Sequence, residues 1–161
     1  MNRERYLSLM RWANDMKSRK CVICGMTKCI PFLLAFFYIF SIIFCILMYP
    51  VSLLRLIFHP LLCFITVTFL RNLIKAPRPY DVFDFIPLCG YHPGKNKSFP
   101  SRHTASAAIL ALEISHIFGG VIGIICIILA LIMGVFRVLC GNHFIKDVIA
   151  GYFVALFFYF L

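Results

Sequence analysis

The chain has 161 residues, of which 62% are hydrophobic, and its formal net charge is +10. Soluble domains are about 45–50% apolar. For the chain as a whole, the composition therefore excludes an ordinary soluble enzyme and a disordered tail. A chain that is both this apolar and this basic has to separate the two properties along its length.

The charged side chains fall in three segments. Residues 1–29 hold seven basic and two acidic residues, residues 71–103 hold six and two, and residues 137–147 hold two and one. Arg55 and Glu113 are the remaining charges, and they cancel. The stretches between the segments are nearly uncharged. Because no soluble basic face exists, nucleic acid is excluded as a partner.

The first segment has helical periodicity. Apolar side chains recur there at the spacing of one helix face, at Tyr6, Leu9, Met10 and Ala13. This pattern predicts an amphipathic helix on the membrane surface, within a basic interfacial segment that covers residues 1–29. A disordered basic tail is the alternative.

Five apolar stretches follow, and a helix that crosses about 30 Å of hydrocarbon needs about 20 apolar residues. The predicted spans are 30–49, 51–70, 101–118, 121–136 and 143–161. Pro50 separates the first two, and Gly119 and Gly120 make a turn between the third and fourth. The stretches are continuously apolar, whereas the strands of a membrane barrel alternate. We therefore predict an all-α integral membrane bundle of about five transmembrane helices, with residues 30–161 as its membrane domain.

Arg55 and Glu113 are the two charges inside predicted spans. Arg55 lies roughly 22 Å from the end of its helix at Leu70, and Glu113 lies roughly 18 Å from the start of its own at Ser101. Both ends belong to one membrane face, so the charges are predicted to form an intramembrane ion pair. In the alternative, Arg55 extends to the opposite interface. Three histidines match no motif and are interpreted as structural: His59, His92 and His116.

Three of the eight cysteines lie close together in the first segment. Cys21, Cys24 and Cys29 have the spacing of half a zinc knuckle, and a zinc site needs four ligands. The only residues that could complete it are Cys89 and His92. Zinc binding is thus an open alternative, and no disulfide pairing follows from the sequence.

Three short motifs stand at the ends of predicted spans. The first runs from Arg71 to Arg78-Pro79, the second is Pro100-Ser101-Arg102-His103, and the third runs from Arg137 through His143 to Asp147. Helices that alternate in direction place all three motifs at one membrane face. Several cations, a serine and two histidines meet there, without a carboxylate cluster for a metal.

This combination of side chains suits a phosphate group. Arginine offers a planar fork that matches phosphate oxygens, and the free N–H groups at the start of the third span can hold an anion beside the Ser101 hydroxyl. His143 and Asp147 are four residues apart, so they share a helix face if the fifth helix has begun. A carboxylate that accepts one ring N–H leaves the other nitrogen free to attack. His103 can then protonate the leaving oxygen.

Together, the motifs resemble the type 2 phosphatidic acid phosphatase superfamily, which also contains vanadium haloperoxidases and glucose-6-phosphatase. The family pattern is KxxxxxxRP, then PSGH, then SRxxxxxHxxxD. In this chain Arg71 replaces the lysine, Arg102 replaces the glycine and Phe136 replaces the serine, while the spacing is intact. Each motif alone is weak evidence for the family. The resemblance depends on all three motifs occurring in order across residues 71–147.

The resemblance implies a metal-independent membrane phosphohydrolase that works through a phosphohistidine and needs no cofactor. His143 would attack phosphorus and Asp147 would orient it, while His103 would protonate the leaving group and then activate water. The phosphoryl oxygens would be held by Arg71, Arg78, Ser101, Arg137 and the backbone N–H of Arg102.

A site at the membrane face favours an amphiphilic substrate whose phosphate lies in the headgroup layer. By resemblance, the candidates are undecaprenyl diphosphate, phosphatidic acid and phosphatidylglycerophosphate. The connection at residues 80–98 mixes aromatic and basic side chains. It is interpreted either as a lid that contacts the acyl chain and the phosphate or as a simple long loop. The competing class is a non-catalytic protein that binds lipid phosphates or transports anions.

The side of the membrane that the site faces is predicted from two opposing arguments. Cytoplasmic loops normally carry the Lys and Arg excess, which places the site inside. Catalytic cations are not topology signals, however, and the short bacterial members that this chain resembles usually face outward. The expectation is therefore a bacterial plasma membrane protein with its site on the outer face.

Overall fold

The structure is a computed structural model that describes residues 3–90 and 94–161. Helices make up most of these residues. In chain order they are α1 (Arg3–Asn14), α2 (Lys17–Met48), α3 (Pro50–Ile74), α4 (Pro79–Phe83), α5 (Arg102–Phe118), α6 (Gly120–Leu139) and α7 (Ile145–Tyr159). No strand occurs within these two ranges. The all-α prediction is confirmed.

The five apolar stretches form a bundle of α2, α3, α5, α6 and α7. Three of these helices, α2, α3 and α6, are long and apolar enough to cross a membrane by length and composition. α5 has 17 residues and α7 has 15, which correspond to roughly 26 and 23 Å of helix. Both pack against the longer helices. The protein is therefore a helical membrane bundle with α5 and α7 as its shorter members.

α5 lies at the centre of the bundle because small side chains line it. Four of its alanines are buried, namely Ala105, Ala107, Ala108 and Ala111. Small side chains let helices approach closely. One side of α5 forms a core with α2 and α6, and the other forms a core with α3 and α7. The N-terminus of α5 is thereby held between all four neighbours.

Proline and glycine set the helix boundaries where the sequence predicts them. α2 ends at Met48, and Pro50 is the first residue of α3, where a missing N–H costs no helical hydrogen bond. Gly119 (φ 57°) and Gly120 (φ 46°) reverse the chain between α5 and α6. This left-handed backbone is open to glycine at no steric cost.

α1 is the predicted amphipathic helix, but its apolar face contacts the protein itself. Tyr6, Met10 and Ala13 are buried. Three rings surround Tyr6 at centroid distances of 5.6 to 5.8 Å, those of Phe83, Phe85 and Phe144. The Tyr6 hydroxyl donates to the backbone carbonyl of His143 at 3.4 Å. α1 thus covers the same end of the bundle that carries the three motifs.

The first long helix begins earlier than the apolar pattern predicts. α2 starts at Lys17 and continues through residue 30 without interruption. The reason is that basic side chains are good helix formers, so the helix extends beyond the apolar run. The division into an interfacial segment (1–29) and a membrane domain (30–161) stays a prediction.

The predicted ion pair between Arg55 and Glu113 is confirmed. Arg55 Nε lies 3.3 Å from Glu113 Oε2, and the carboxylate is 1% exposed. His59 Nδ1 lies 2.9 Å from the other oxygen, Oε1. Arg55 also donates through Nη2 to the carbonyl of Tyr159 at 2.8 Å. The pair therefore joins α3, α5 and α7, and His59 has the structural role expected of it.

Glu113→Ala is expected to destabilise the bundle by about 3 kcal/mol, because it leaves Arg55 without its buried partner. The measurement is the midpoint of thermal unfolding in detergent. Glu113→Gln is the matched control and should cost less, since its oxygen still accepts from Arg55 Nε while its NH₂ group can donate to His59 Nδ1. An unchanged midpoint for Glu113→Ala would contradict a stabilising role for the pair.

Candidate active site

The three motifs meet at one end of the bundle, as alternating helix directions predict. They are carried by the last turns of α3 and α6, the residue that precedes α4, the start of α5, and the loop and first turn of α7. Six of the eight predicted site residues are buried: Arg71, Arg78, Ser101, Arg137, His143 and Asp147. The other two are more accessible, Arg102 being half-buried and His103 exposed.

His143 and Asp147 pair as predicted, but not from one helix face. α7 begins at Ile145, so His143 lies in the preceding loop and only Asp147 is helical. His143 Nδ1 lies 3.6 Å from Asp147 Oδ2, and both side chains are almost fully buried. A carboxylate on this side of the ring favours the proton on Nδ1 and leaves Nε2 as the free nitrogen.

Asp147 is held by two further donors. Ser98 Oγ donates to Asp147 Oδ2 at 2.5 Å, and the backbone N–H of Phe144 donates to the same oxygen at 2.9 Å. Ser98 is fully buried. The sequence motifs do not indicate Ser98, because it belongs to none of them and its only signal is its position just before the Pro100 motif.

Arg78 is fixed beside the nitrogen of His143 that faces away from Asp147. Its side chain is 2% exposed. Three backbone carbonyls accept hydrogen bonds from its guanidinium, those of Gly94, Lys97 and Asn142. Nη1 of Arg78 also lies 3.4 Å from His143 Nε2. A rigid cation therefore stands next to the free nitrogen.

The surroundings of His143 keep its ring neutral. Burial lowers the pKa of His143 below its ordinary value, and the positive charges of Arg137 and Arg78 lower it further, while Asp147 acts in the opposite direction. Only the neutral ring has a lone pair. The environment therefore favours the nucleophilic form of His143.

Ser101 is tied to Asp147 by close packing of α5 on α7. The Ser101 N–H donates to the carbonyl of Asp147 at 2.9 Å, and Ser101 Oγ lies 2.9 Å from Thr104 Oγ1. Gly151 permits this approach, because a Cβ at that position would lie 2.8 Å from the Ser101 carbonyl oxygen. The N-terminus of α5 is thus held against the first turns of α7.

Arg71 and Arg137 complete a cluster of buried cations. Arg71 is 7% exposed and donates to the carbonyl of Pro100 at 3.3 Å, and Arg137 is 5% exposed. Arg71 lies within the electrostatic reach of Arg78, Arg102 and Arg137. Like charges brought this close under partial burial repel one another, so the cluster is suited to an anion with several oxygens.

His103 lines a cleft that continues from the site into the bundle. The cleft has a volume of about 240 Å³. Arg102 and His103 line its end nearest the cation cluster, which we call its mouth. Its walls come from α2, α3, α5 and α6 and include Leu34, Phe64, Leu110 and Met133. His103 is also within the electrostatic reach of Arg137 and His143. It therefore stands between the cation cluster and an apolar space.

Cys24 and Cys89 form a disulfide that ties α2 to the connection between α4 and α5. Both were candidate zinc ligands, and a disulfide sulfur is not a thiolate ligand. Cys140 Sγ lies 3.3 Å from Cys89 Sγ. His92 lies outside the described residues. Within the described ranges, no group of three His, Cys, Asp or Glu side chains could hold a metal ion.

This arrangement can bind and cleave a phosphate ester. The buried cations can neutralise phosphoryl oxygens, and a neutral imidazole backed by a carboxylate can act as a nucleophile. A second histidine, at the mouth of the cleft, can supply a proton to a leaving oxygen.

Known proteins share this fold. Residues 52–161 match the PAP2 superfamily. LpxE of Aquifex aeolicus has a TM-score of 0.74 and 25% sequence identity, over 96% of this chain and 92% of that chain. The PAP2 type phosphatidylglycerolphosphate phosphatase of Bacillus subtilis has a TM-score of 0.65 and 25% identity, over 98% of this chain and 82% of that chain. The matched region contains all three motifs, and the chain therefore belongs to the PAP2 superfamily.

Proposed function

We propose that the protein is a metal-independent membrane phosphatase that hydrolyses a lipid phosphate or polyprenyl diphosphate through a phosphohistidine on His143. One observation carries the proposal. His143 is buried with Nε2 3.4 Å from Arg78 Nη1, while Nδ1 faces Asp147 at 3.6 Å. A phosphoryl group bound to Arg78 would have its phosphorus next to the Nε2 lone pair.

In the first step the Nε2 lone pair of His143 attacks phosphorus, and the bond from phosphorus to the leaving oxygen breaks. His103 gives that oxygen a proton, and Asp147 stabilises the positive charge that develops on the His143 ring. Charge stabilisation is usually the largest catalytic contribution. The groups that would supply it to the phosphoryl oxygens are Arg71, Arg78, Arg137, the Ser101 hydroxyl and the Arg102 N–H.

In the second step water cleaves the phosphohistidine. His103, now neutral, takes a proton from water, and the water oxygen attacks phosphorus. The phosphorus–nitrogen bond breaks, Nε2 of His143 recovers its lone pair, and inorganic phosphate leaves. Side chains alone supply the nucleophile, the acid and the base, so the proposal assigns no cofactor.

A lipid is the substrate class that the position of the site supports. The cation cluster stands at the end of the bundle where phosphate headgroups lie, and the apolar cleft begins beside it. The similar Bacillus subtilis protein is named for phosphatidylglycerolphosphate, which is a membrane lipid phosphate. The membrane bilayer is therefore the proposed partner and source of the substrate.

The test is phosphate release from purified protein in detergent, with phosphatidic acid, phosphatidylglycerophosphate and undecaprenyl diphosphate as substrates and EDTA present throughout. We expect turnover of at least one lipid and inhibition by vanadate, which mimics the trigonal-bipyramidal phosphoryl group. A strict metal requirement would contradict the mechanism. Binding of these lipids without any turnover would instead favour a non-catalytic lipid-phosphate-binding protein.

We further propose that the site faces the outer side of a bacterial plasma membrane. The support is the Cys24–Cys89 disulfide beside the site, since disulfides persist in oxidising compartments. Cys21 is free and exposed near the start of α2, at the same end. A membrane-impermeant maleimide should label Cys21 in intact cells, with Cys21→Ser as the control. Labelling only after lysis would place the site inside.

Ser98→Ala is expected to lower kcat about tenfold, which corresponds to the loss of one hydrogen bond to a charged group. Asp147 Oδ2 would keep the hydrogen bond from the Phe144 N–H but lose the hydrogen bond from the Ser98 hydroxyl. The fold should be unaffected, so the thermal midpoint in detergent should match that of wild type. Ser8→Ala is the matched control, because Ser8 is an exposed serine on α1. Equal kcat values for Ser98→Ala and wild type would show that Ser98 does not position Asp147.

A further inference from the structure

The side chain of Arg102 stands apart from the other arginines of the site. Arg71, Arg78 and Arg137 are each 7% exposed or less, whereas Arg102 is half-buried. The guanidinium carbon of Arg102 lies 5.3 Å from the centre of the Phe64 ring. Phe64 precedes Arg71 by nearly two turns of α3, roughly 10 Å toward the membrane interior. Arg102 therefore extends toward the apolar end of the site.

Arg102 and His103 stand side by side at the mouth of the cleft. Beyond them the cleft is lined by apolar side chains such as Leu34 and Met133. A lipid tail in this cleft would leave it between these two residues. His103 is the proposed acid for the leaving oxygen, so Arg102 would face the group that joins the scissile phosphoryl group to the tail.

The chemistry of that joining group differs between the candidate lipids. In a lipid monophosphate it is an uncharged carbon of the alcohol. In a lipid diphosphate it is a second phosphoryl group, which carries negative charge and gains more when the bond to the first phosphorus breaks. A guanidinium can bind two oxygens of such a group and stabilise that charge.

We propose, on the basis of the proposed phosphatase function, that Arg102 and the mouth of the cleft form a subsite for the second phosphoryl group of a lipid diphosphate. The lipid diphosphate is then the preferred substrate, and a lipid monophosphate is the leaving group. The family pattern has glycine at position 102, so the subsite is a feature of this chain's own sequence. If Arg102 only anchored α5 to Phe64, both classes of lipid would be affected alike.

The experiment compares farnesyl diphosphate with farnesyl monophosphate, which share one tail and differ only in the second phosphoryl group. We expect the wild-type kcat/KM to favour the diphosphate by about tenfold or more. Arg102→Gln should lower kcat/KM for the diphosphate by about ten- to a hundredfold, and change the monophosphate value by less than about threefold. Arg102→Lys keeps the charge and should recover part of the loss.

Lys146→Gln is the matched control, because it removes one exposed cation from the same end of the bundle. It should leave the ratio of the two kcat/KM values unchanged, and a ratio that falls as far as in Arg102→Gln would overturn the subsite. Equal losses on both substrates in Arg102→Gln, or an unchanged diphosphate value, would overturn it too. Failure of the phosphatase function itself looks different, since wild type would then release no phosphate from either compound.

Discussion

His143→Ala and His103→Ala should stop the reaction at two different stages. With 4-nitrophenyl phosphate the leaving group needs no proton, so the first step depends on His143 and not on His103. His143→Ala should lose activity by about four orders of magnitude or more and release no burst of nitrophenolate. His103→Ala should give a burst equal to the enzyme concentration and then stall, because no base activates water for the second step. Rapid-quench measurement of nitrophenolate checks both results.

The stalled His103→Ala protein should carry a phosphoryl group that is lost in acid and kept in base, as expected for phosphohistidine. His116→Ala is the matched control, since His116 lies on the same helix, in its last turn. It should show the wild-type burst and turnover. A burst from His143→Ala would mean that another side chain is the nucleophile, and a full turnover rate in His103→Ala would remove the acid–base role.

The convergence of the site was predictable because it depends on helix direction alone. Arg71 and Arg137 end helices that run toward one face, and Ser101 begins a helix that leaves it. Apolar run length sets the number of helices, so successive connections alternate between the two faces, and the charged connections, which are every second one, share a face. The pair of Arg55 and Glu113 was predictable for the same reason, since a similar depth follows from residue counts along two antiparallel helices.

The features that the sequence did not predict depend on tertiary contacts, which hydrophobic periodicity does not describe. Ser98 reaches Asp147 through the course of an irregular connection. The apolar stripe of α1 can be covered by lipid or by protein with the same pattern, and here Tyr6 is covered by protein. Cys24 and Cys89 are far apart in sequence, and eight cysteines allow many pairings. These features need the tertiary structure.

Asp147→Asn should lower kcat by about 10⁴-fold, the size of loss seen when an orienting carboxylate becomes an amide. The amide can keep its oxygen as the acceptor for Ser98 Oγ and the Phe144 N–H, which contact one oxygen of Asp147. That oxygen is also the one that faces His143 Nδ1, at 3.6 Å, so Nε2 keeps its lone pair. The neutral amide cannot stabilise the positive charge that develops on the ring as Nε2 attacks phosphorus. Single-turnover formation of the phosphoenzyme is the measurement.

Asp84→Asn is the matched control for this change. Asp84 is an exposed carboxylate at φ 52°, a left-handed conformation that asparagine also adopts. It should retain wild-type kcat, and both variants should unfold at the wild-type temperature. Because the negative charge of Asp147 assists attack and not binding, KM for Asp147→Asn should change much less than kcat. An Asp147→Asn variant that keeps about a tenth of wild-type kcat or more would show that the charge of the carboxylate does not assist attack by His143.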